Sequence, residues 1–309
     1  MSAKDIAAKE FFNRPFIIAD LCNCIIFNGE KRIMPENVRF LSTELTAGPQ
    51  DTNNESLPTD TTRIRDSLCL ITFMNEGKEE SFELGLEFQS NGNINILFRD
   101  HDYDGRGYTR MVNARKRKQK CIICPIITLT INLTCRPWNY PCSLKVRFKK
   151  SDKAIRKYLN FRMNLLDPFT LDENIINSMC TELKTVINCF RYSRDREMLF
   201  KILTNIPGDS LSREAVHLLN TFLNLGLKIP EKEEMVSMCK AAEELKQMWL
   251  EEGIQQGIKQ GVQQGVQQER EQCVIRMLRK NTSPAQIHEL IGIPIKRILA
   301  IASKNFIKV

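Results

Sequence analysis

The strongest chemical signal in the chain is a pair of carboxylates on two strand-like runs. IRDSLCLITFM is apolar and partly β-branched, and EESFELGLEFQS alternates strictly. In the second run Phe82, Leu84, Leu86 and Phe88 share one face, and Glu83, Gly85, Glu87 and Gln89 share the other. Asn75-Glu76-Gly77-Lys78 between the runs reads as a hairpin turn. A turn symmetric about Glu76-Gly77 sets Asp66 opposite Glu87, with Cβ atoms about 5 Å apart on one face. Like charges so placed repel, and a cation between them offsets the repulsion. An oxygen-preferring divalent ion such as Mg²⁺ is the natural candidate. Gln89 lies two residues on and points to the same side. A three-residue loop would break this register. An acidic strand face continued by Glu83 and Glu79 equally suits plain solvation.

A second metal reading competes. Cys121 and Cys124 form a CxxC pair with Cys135 and Cys142 behind it, and four thiolates can bind zinc. Ile122, Ile123 and Pro125-Ile126-Ile127 instead read as a buried strand, along which neighbouring positions do not converge. The three histidines, His101, His217 and His288, are far apart. They disfavour a histidine-rich centre and leave hydrolytic chemistry to carboxylates.

Charge is the next signal. From Arg99 to Lys157 there are 16 Lys and Arg against 4 Asp, a local charge of +12 in a chain of net +8. Arg115, Lys116, Arg117, Lys118 and Lys120 form its densest run. Such a patch fits a polyanion such as DNA, with these side chains on phosphates; a solvated loop is the plainer reading.

The elements that must carry these residues follow from local pattern. Ser2 caps a helix over Ala3–Phe12, Pro15 opens a second, and Asn28-Gly29 ends it. Residues 46–62 are a polar, turn-rich loop. Residues 94–120 suit a helix ending in the basic run, IICPIITLTINL a buried strand, and Pro137, Trp138 and Pro141 a loop. From about Ala154 the pattern is mainly helical. LFKILTNIPG and REAVHLLNTFLNLG are bundle helices, and residues 232–252 form a longer one.

A repeat of period four follows, with glycine at 253, 257, 261 and 265 and Ile254, Ile258, Val262 and Val266 beside them. Four glycines cost a helix about 4 kcal/mol relative to alanine. Packing along the glycine stripe would offset that, so residues 245–275 read as a homo-oligomer contact, or else as a linker. At the C-terminus Ser283 or Thr282 caps, Pro284 starts a helix, Gly292 breaks it and Pro294 starts another. The pair is helix-turn-helix-like.

Length bounds the whole. The 309 residues suggest about two domains plus appendages. No apolar stretch reaches the ~18 residues of a membrane span. The charged opening MSAKDIAAKE and eleven cysteines, an odd number, read as reduced thiols in a cytoplasmic protein with no membrane role.

Several segments together resemble one family. KDIAAKEFF and IADLCNCIIFNGEKRIMPENV, RIRD, GLEFQS, ILFRDHDYDGRGY, PIITLTINL with Trp138, FRMNLLDP, MCKAAEEL and the Gly-Gln repeat are similar, in order and spacing, to the bacterial recombination-promoting nuclease and putative transposase (YhgA-like) family. The resemblance covers nearly the whole chain. It implies an α/β fold, with a restriction-endonuclease-like PD-(D/E)XK core over residues 1–165 followed by an α-helical C-terminal region. That region comprises a bundle over 166–250, a repeat helix or linker over 251–270 and a small helical end over 271–309. It implies a Mg²⁺- or Mn²⁺-dependent DNA endonuclease acting in DNA recombination. Asp66 and Glu87 would hold the metal, Gln89 would complete the catalytic set, and Asp20 is a further candidate ligand on the first core helix. Gln89 stands where the superfamily usually has lysine. An amide orients metal-bound water but supplies no charge to a developing anion. A catalytically inactive DNA-binding or assembly protein descended from such a nuclease is the alternative.

Overall fold

The computed structural model describes residues 2–45, 63–113, 123–148, 152–229 and 234–307. The chain divides into two compact units, Met1–Leu245 and Lys246–Val309.

The first unit opens with α1 (Ala3–Phe12), capped by a reciprocal box between Ser2 and Asp5. Pro15 pre-sets the first turn of α2 (Pro15–Leu21), which runs into a π-helical turn at Cys22–Ile26. Asn28 and Gly29 end it with φ of 51° and 93°. After a 3₁₀ turn come β1 (Val38–Phe40), the two-residue β2 (Glu44–Leu45) and β3 (Arg63–Ile64), then β4 (Ser67–Asn75) and β5 (Lys78–Gln89). The β4–β5 turn is Glu76-Gly77, both at positive φ, the type I′ geometry that matches strand twist. Helix α3 (Ile96–Asn113) crosses to β6 (Ile126–Asn132). Two short helices, α4 (Leu144–Arg147) and α5 (Lys153–Arg156), lead to β7 (Asn164–Leu166).

Five of these strands form one mixed sheet in the order β1-β4-β5-β6-β7. The β1–β4 and β4–β5 pairs are antiparallel, and β5–β6 and β6–β7 are parallel. Both faces are covered, so β5 is buried on both sides from Phe82 to Gln89. On one face Phe82, Leu84, Leu86 and Phe88 meet the N-terminal helices, with Phe12 stacked on Phe88 at 5.0 Å between ring centroids. Each such side chain contributes roughly 1.5–3 kcal/mol by leaving water. On the other face α3 lies over Glu83, Gly85, Glu87 and Gln89. The solvated acidic face allowed by the alternation is therefore not what forms: Glu83, Glu87 and Gln89 are all buried. Glu79 alone of that set stays exposed.

The rest of the first unit is α6 (Glu173–Ser178), α7 (Leu183–Arg191), α8 (Arg196–Thr204), β8 (Ser210–Ser212), α9 (Arg213–Leu223), β9 (Met235–Ser237) and the start of α10 (Met238–Arg279). Helix α9 packs on α1, and Arg14 ties the two regions through Glu182, Ser212 at 2.7 Å and Glu214 at 3.3 Å. The segment after Ala154 is mainly helical, as the pattern implies, but FRMNLLDP also supplies the fifth strand and β8 pairs with β9. Three-residue strands are too short to show a period in sequence. The long helix begins at Met238, after β9, rather than at 232, and runs unbroken through the glycine repeat.

In the second unit Val274, Ile275 and Leu278 pack with Ile287 of α11 (Pro284–Ile291) and Ile298 and Ile301 of α12 (Ile295–Lys304). Ser283 caps α11, and Gly292, at φ 66°, ends it before Pro294. Ile254, Ile258, Val262 and Val266 are exposed, and nothing lies within 4 Å of a Cβ placed on any of the four repeat glycines.

Candidate functional site

The hairpin register follows from its turn. Ser67 pairs with Leu86 and Asn75 with Lys78, which sets Asp66, one residue before β4, across from Glu87. Backbone bonds fix the pair. The Phe88 N–H donates to Asp66 Oδ2 at 2.9 Å, and the Asp66 N–H donates to Glu87 Oε1 at 3.4 Å. The Glu87 side chain has no exposed surface, whereas that of Asp66 is about a quarter exposed. Asp66 and Gln89 open on a cavity of about 390 Å³, shared with Asp5, Arg99 and the 90–93 loop. Glu87 sits behind them rather than on the cavity wall.

Burial dominates the electrostatics. It pushes the Glu87 carboxyl up to about 8, reinforced by the neighbouring Asp66 charge and opposed by Arg99. Asp66 is also raised, chiefly by burial, with the Phe88 N–H and Lys9 working the other way. Lys9 Nζ is 4.0 Å from Asp66. Gln89 is buried, its amide nitrogen donating to the Phe88 carbonyl at 3.3 Å. Its amide oxygen accepts no hydrogen bond among the described residues.

Helix α3 supplies residues that pattern reading missed. Arg99 donates to Glu87 Oε2 at 3.2 Å and to the Tyr103 hydroxyl at 3.2 Å. Asp100 accepts from Thr130 at 2.6 Å, and burial pushes its carboxyl up to about 6. Asp104 accepts from Arg65 at 3.0 Å and from Thr128 at 2.5 Å. Arg110 grips Glu83 at 2.6 and 2.5 Å. The Arg65 guanidinium, almost fully buried, lies against Gly85: a Cβ there would meet its Nη1 at 1.8 Å. The signal was present in the sequence. Arg99, Asp100, Tyr103, Asp104, Gly107 and Arg110 recur at three- and four-residue spacing, which puts them on one helix face opposite the acidic strand.

The remaining predicted residues lie elsewhere or beyond view. Asp20 is buried, and its carboxylate accepts from the Cys180 N–H at 3.1 Å and from the Thr181 N–H and hydroxyl at 2.9 and 2.6 Å. It closes the turn into α7 and shares no hydrogen bond with Asp66 or Glu87. Arg115, Lys116, Arg117, Lys118 and Lys120 lie outside the described residues, as do the 46–62 loop and Cys121. Among the described residues no cluster of three or more His, Cys, Asp or Glu is arranged to hold a metal. Cys124, Cys135 and Cys142 are free thiols, with Cys135 donating to the Phe222 carbonyl at 3.6 Å. No described helix is long and apolar enough to cross a membrane.

Compared with known proteins, the chain matches no family model, no curated protein and no solved structure.

Proposed function

We propose that the protein is a Mg²⁺- or Mn²⁺-dependent DNA endonuclease with a PD-(D/E)XK core, acting on DNA in recombination in the cytoplasm. The observation that carries the reading is the Asp66–Glu87 pair beneath an open polar cavity. Two opposed carboxylates, one fully buried, are costly to keep ionised unless a cation shares them. Their oxygens make a hard, all-oxygen donor set, which suits Mg²⁺ and Mn²⁺. Mg²⁺ typically takes one or two protein carboxylates and fills its remaining positions with water and substrate phosphate, so two carboxylates fit it. When bound, the ion would stabilise charge on the phosphate and lower the pKa of a bound water. Asp66 and Glu87 would hold it, and Gln89, fixed by the Phe88 carbonyl, would orient water with its amide oxygen. Arg99 lines the cavity and presents the positive charge that Gln89 lacks. Plasmid nicking in Mg²⁺, with and without EDTA, tests the reading. Wild type should cut, and Asp66→Ala, Glu87→Ala and EDTA should each abolish cutting. A variant that cuts at the wild-type rate overturns the assignment.

One observation favours the alternative of an inactive DNA-binding or assembly protein. Arg99 already supplies a cation to Glu87 at 3.2 Å. DNA binding in EDTA without nicking in either Mg²⁺ or Mn²⁺ would select that reading. Under both, self-association through residues 245–275 remains part of the proposal.

A further inference from the structure

A second cavity, of about 530 Å³, adjoins the first. Gly92, in the loop that leaves β5, lines both, so the two cavities meet at that residue. Its other walls are Trp138, Tyr140, Arg136 and Arg194. The Trp138 and Tyr140 rings are 5.3 Å apart and inclined at 64°. Gly92 makes room for this arrangement, since a Cβ there would lie 2.2 Å from the Tyr140 ring.

The loop is built rather than loose. Buried Asn132, at the end of β6, donates to the Arg136 carbonyl at 2.7 Å and to Asp167 at 2.9 Å. Asp167, also buried, accepts from the Trp138 N–H at 2.9 Å. Trp138, half-buried, packs against the cluster of Ile96, Leu97 and Met163. Arg136 and Arg194 are exposed and form no ion pair among the described residues. Two uncompensated guanidiniums beside two fixed aromatic rings make a poor apolar core. They make a good site for a ligand that joins a flat ring system to a phosphate.

We propose that this cavity binds an unpaired nucleotide of a nucleic-acid strand, its base stacked on the Trp138 ring, with Tyr140, inclined to that ring, against the base's edge, and its phosphates held by Arg136 and Arg194. The size is that of a small-ligand pocket, which admits a splayed nucleotide and not a duplex. Stacking on protein rings requires a base that has left its own stack. The strand would continue past Gly92 toward Asp66 and Gln89, a path that rests on the nuclease reading. The substrate class is then a strand with an unpaired nucleotide next to the bond to be cut.

The test uses the full chain in EDTA, where cleavage plays no part. The probes are a labelled oligothymidylate and a duplex of the same length, followed by anisotropy against salt. The single strand should bind more tightly than the duplex. Arg136→Ala/Arg194→Ala changes only exposed side chains, and circular dichroism checks its fold. It should weaken single-strand binding and flatten the slope of log K against log salt by about 1.4, at about 0.7 per phosphate contact. Trp138→Leu keeps the apolar packing and should weaken binding roughly 5- to 150-fold through loss of a stack. In a Trp249→Phe protein, whose one tryptophan is Trp138, the oligothymidylate should quench emission with the affinity seen by anisotropy. The site is overturned if the double arginine variant keeps wild-type affinity and slope, or if Trp138 emission does not respond. It is equally overturned if the duplex binds as tightly through the same residues. Nicking in Mg²⁺ on the same proteins separates the two proposals. Binding through Arg136 and Arg194 without nicking keeps this site and loses the nuclease; nicking unaffected by the double variant does the reverse.

Discussion

Glu87 holds a proton at pH values where an ordinary glutamate has lost it. Burial first, and Asp66 second, push its carboxyl up from 4.5 to about 8. The folded state therefore binds this proton more tightly than the unfolded chain. The linked stability is complete below pH 4.5 and is lost as pH rises through about 8. At 1.36 kcal/mol per pH unit the swing is on the order of a few kcal/mol. Without divalent ions, Glu87→Gln should flatten this fall and melt above wild type beyond about pH 8, as followed by thermal denaturation across pH. Mg²⁺ should raise the wild-type melting temperature most at the alkaline end, where the site is ionised, and leave Glu87→Gln unmoved. Arg99 belongs to the same scale. Its charge holds Glu87 down, so Arg99→Met should move the pH profile of nicking to higher pH. It should also slow cutting roughly 10²- to 10³-fold, as loss of one transition-state donor does. A wild-type profile in the variant would remove Arg99 from the site.

At the scale of elements, the face that carries the candidate site is made by one strand and one helix reading each other. Strand β5 carries Glu83, Gly85 and Glu87, and α3 answers with Arg110, Asp104 and Arg99. Arg65 fills the space that Gly85 leaves, bonded to Thr128 and Asp104 and lying 4.9 Å over the Tyr103 ring. Gly85→Ala should therefore cost about 1–3 kcal/mol, because a buried and doubly bonded guanidinium must move. A shift in the urea midpoint reads this out, and an unchanged midpoint would mean that Arg65 relocates freely. The hairpin register, and with it the Asp66–Glu87 opposition, was legible in the sequence as the pairing that a turn symmetric about Glu76-Gly77 gives, and the structure supplied that symmetry. The burial of that face was not. Alternation says which residues share a side and is silent on what covers it.

At the scale of the molecule, two charge and surface features carry predictions about partners. The run at Arg115, Lys116, Arg117 and Lys118 lies outside the described residues, yet its charge makes a firm expectation. Changing all four to alanine should flatten the salt dependence of duplex DNA binding by up to about 3.6 units in log K against log salt. An unchanged slope would make the run a soluble surface. The repeat within α10 exposes Ile254, Ile258, Val262 and Val266 beside glycines with open space around them. A single helix gains nothing from four glycines. Light scattering at micromolar concentration should find the full chain larger than a monomer and a chain ending at Gln247 monomeric. The same oligomeric state in both would make the repeat a connector.

Local chemistry alone determined the capped helix at Ser2, the proline-opened α2, the Glu76-Gly77 turn, and the Ser283, Gly292 and Pro294 punctuation of the last two helices. Each depends on residues within a few positions of one another, where steric and hydrogen-bonding rules act without help from the fold. Tertiary structure decided the rest. Only packing of α3 on the sheet turned Glu83 and Glu87 from solvated acids into buried ones and recruited Arg65 and Arg99. Only long-range docking gave Asp20 to the Thr181 turn rather than to the carboxylate pair. Three-residue β7 became a strand because β6 offered an edge, and no period in Asn164–Leu166 announces it. Burial, and hence the electrostatics of the site, is a property of neighbours distant in sequence, which a linear pattern does not contain.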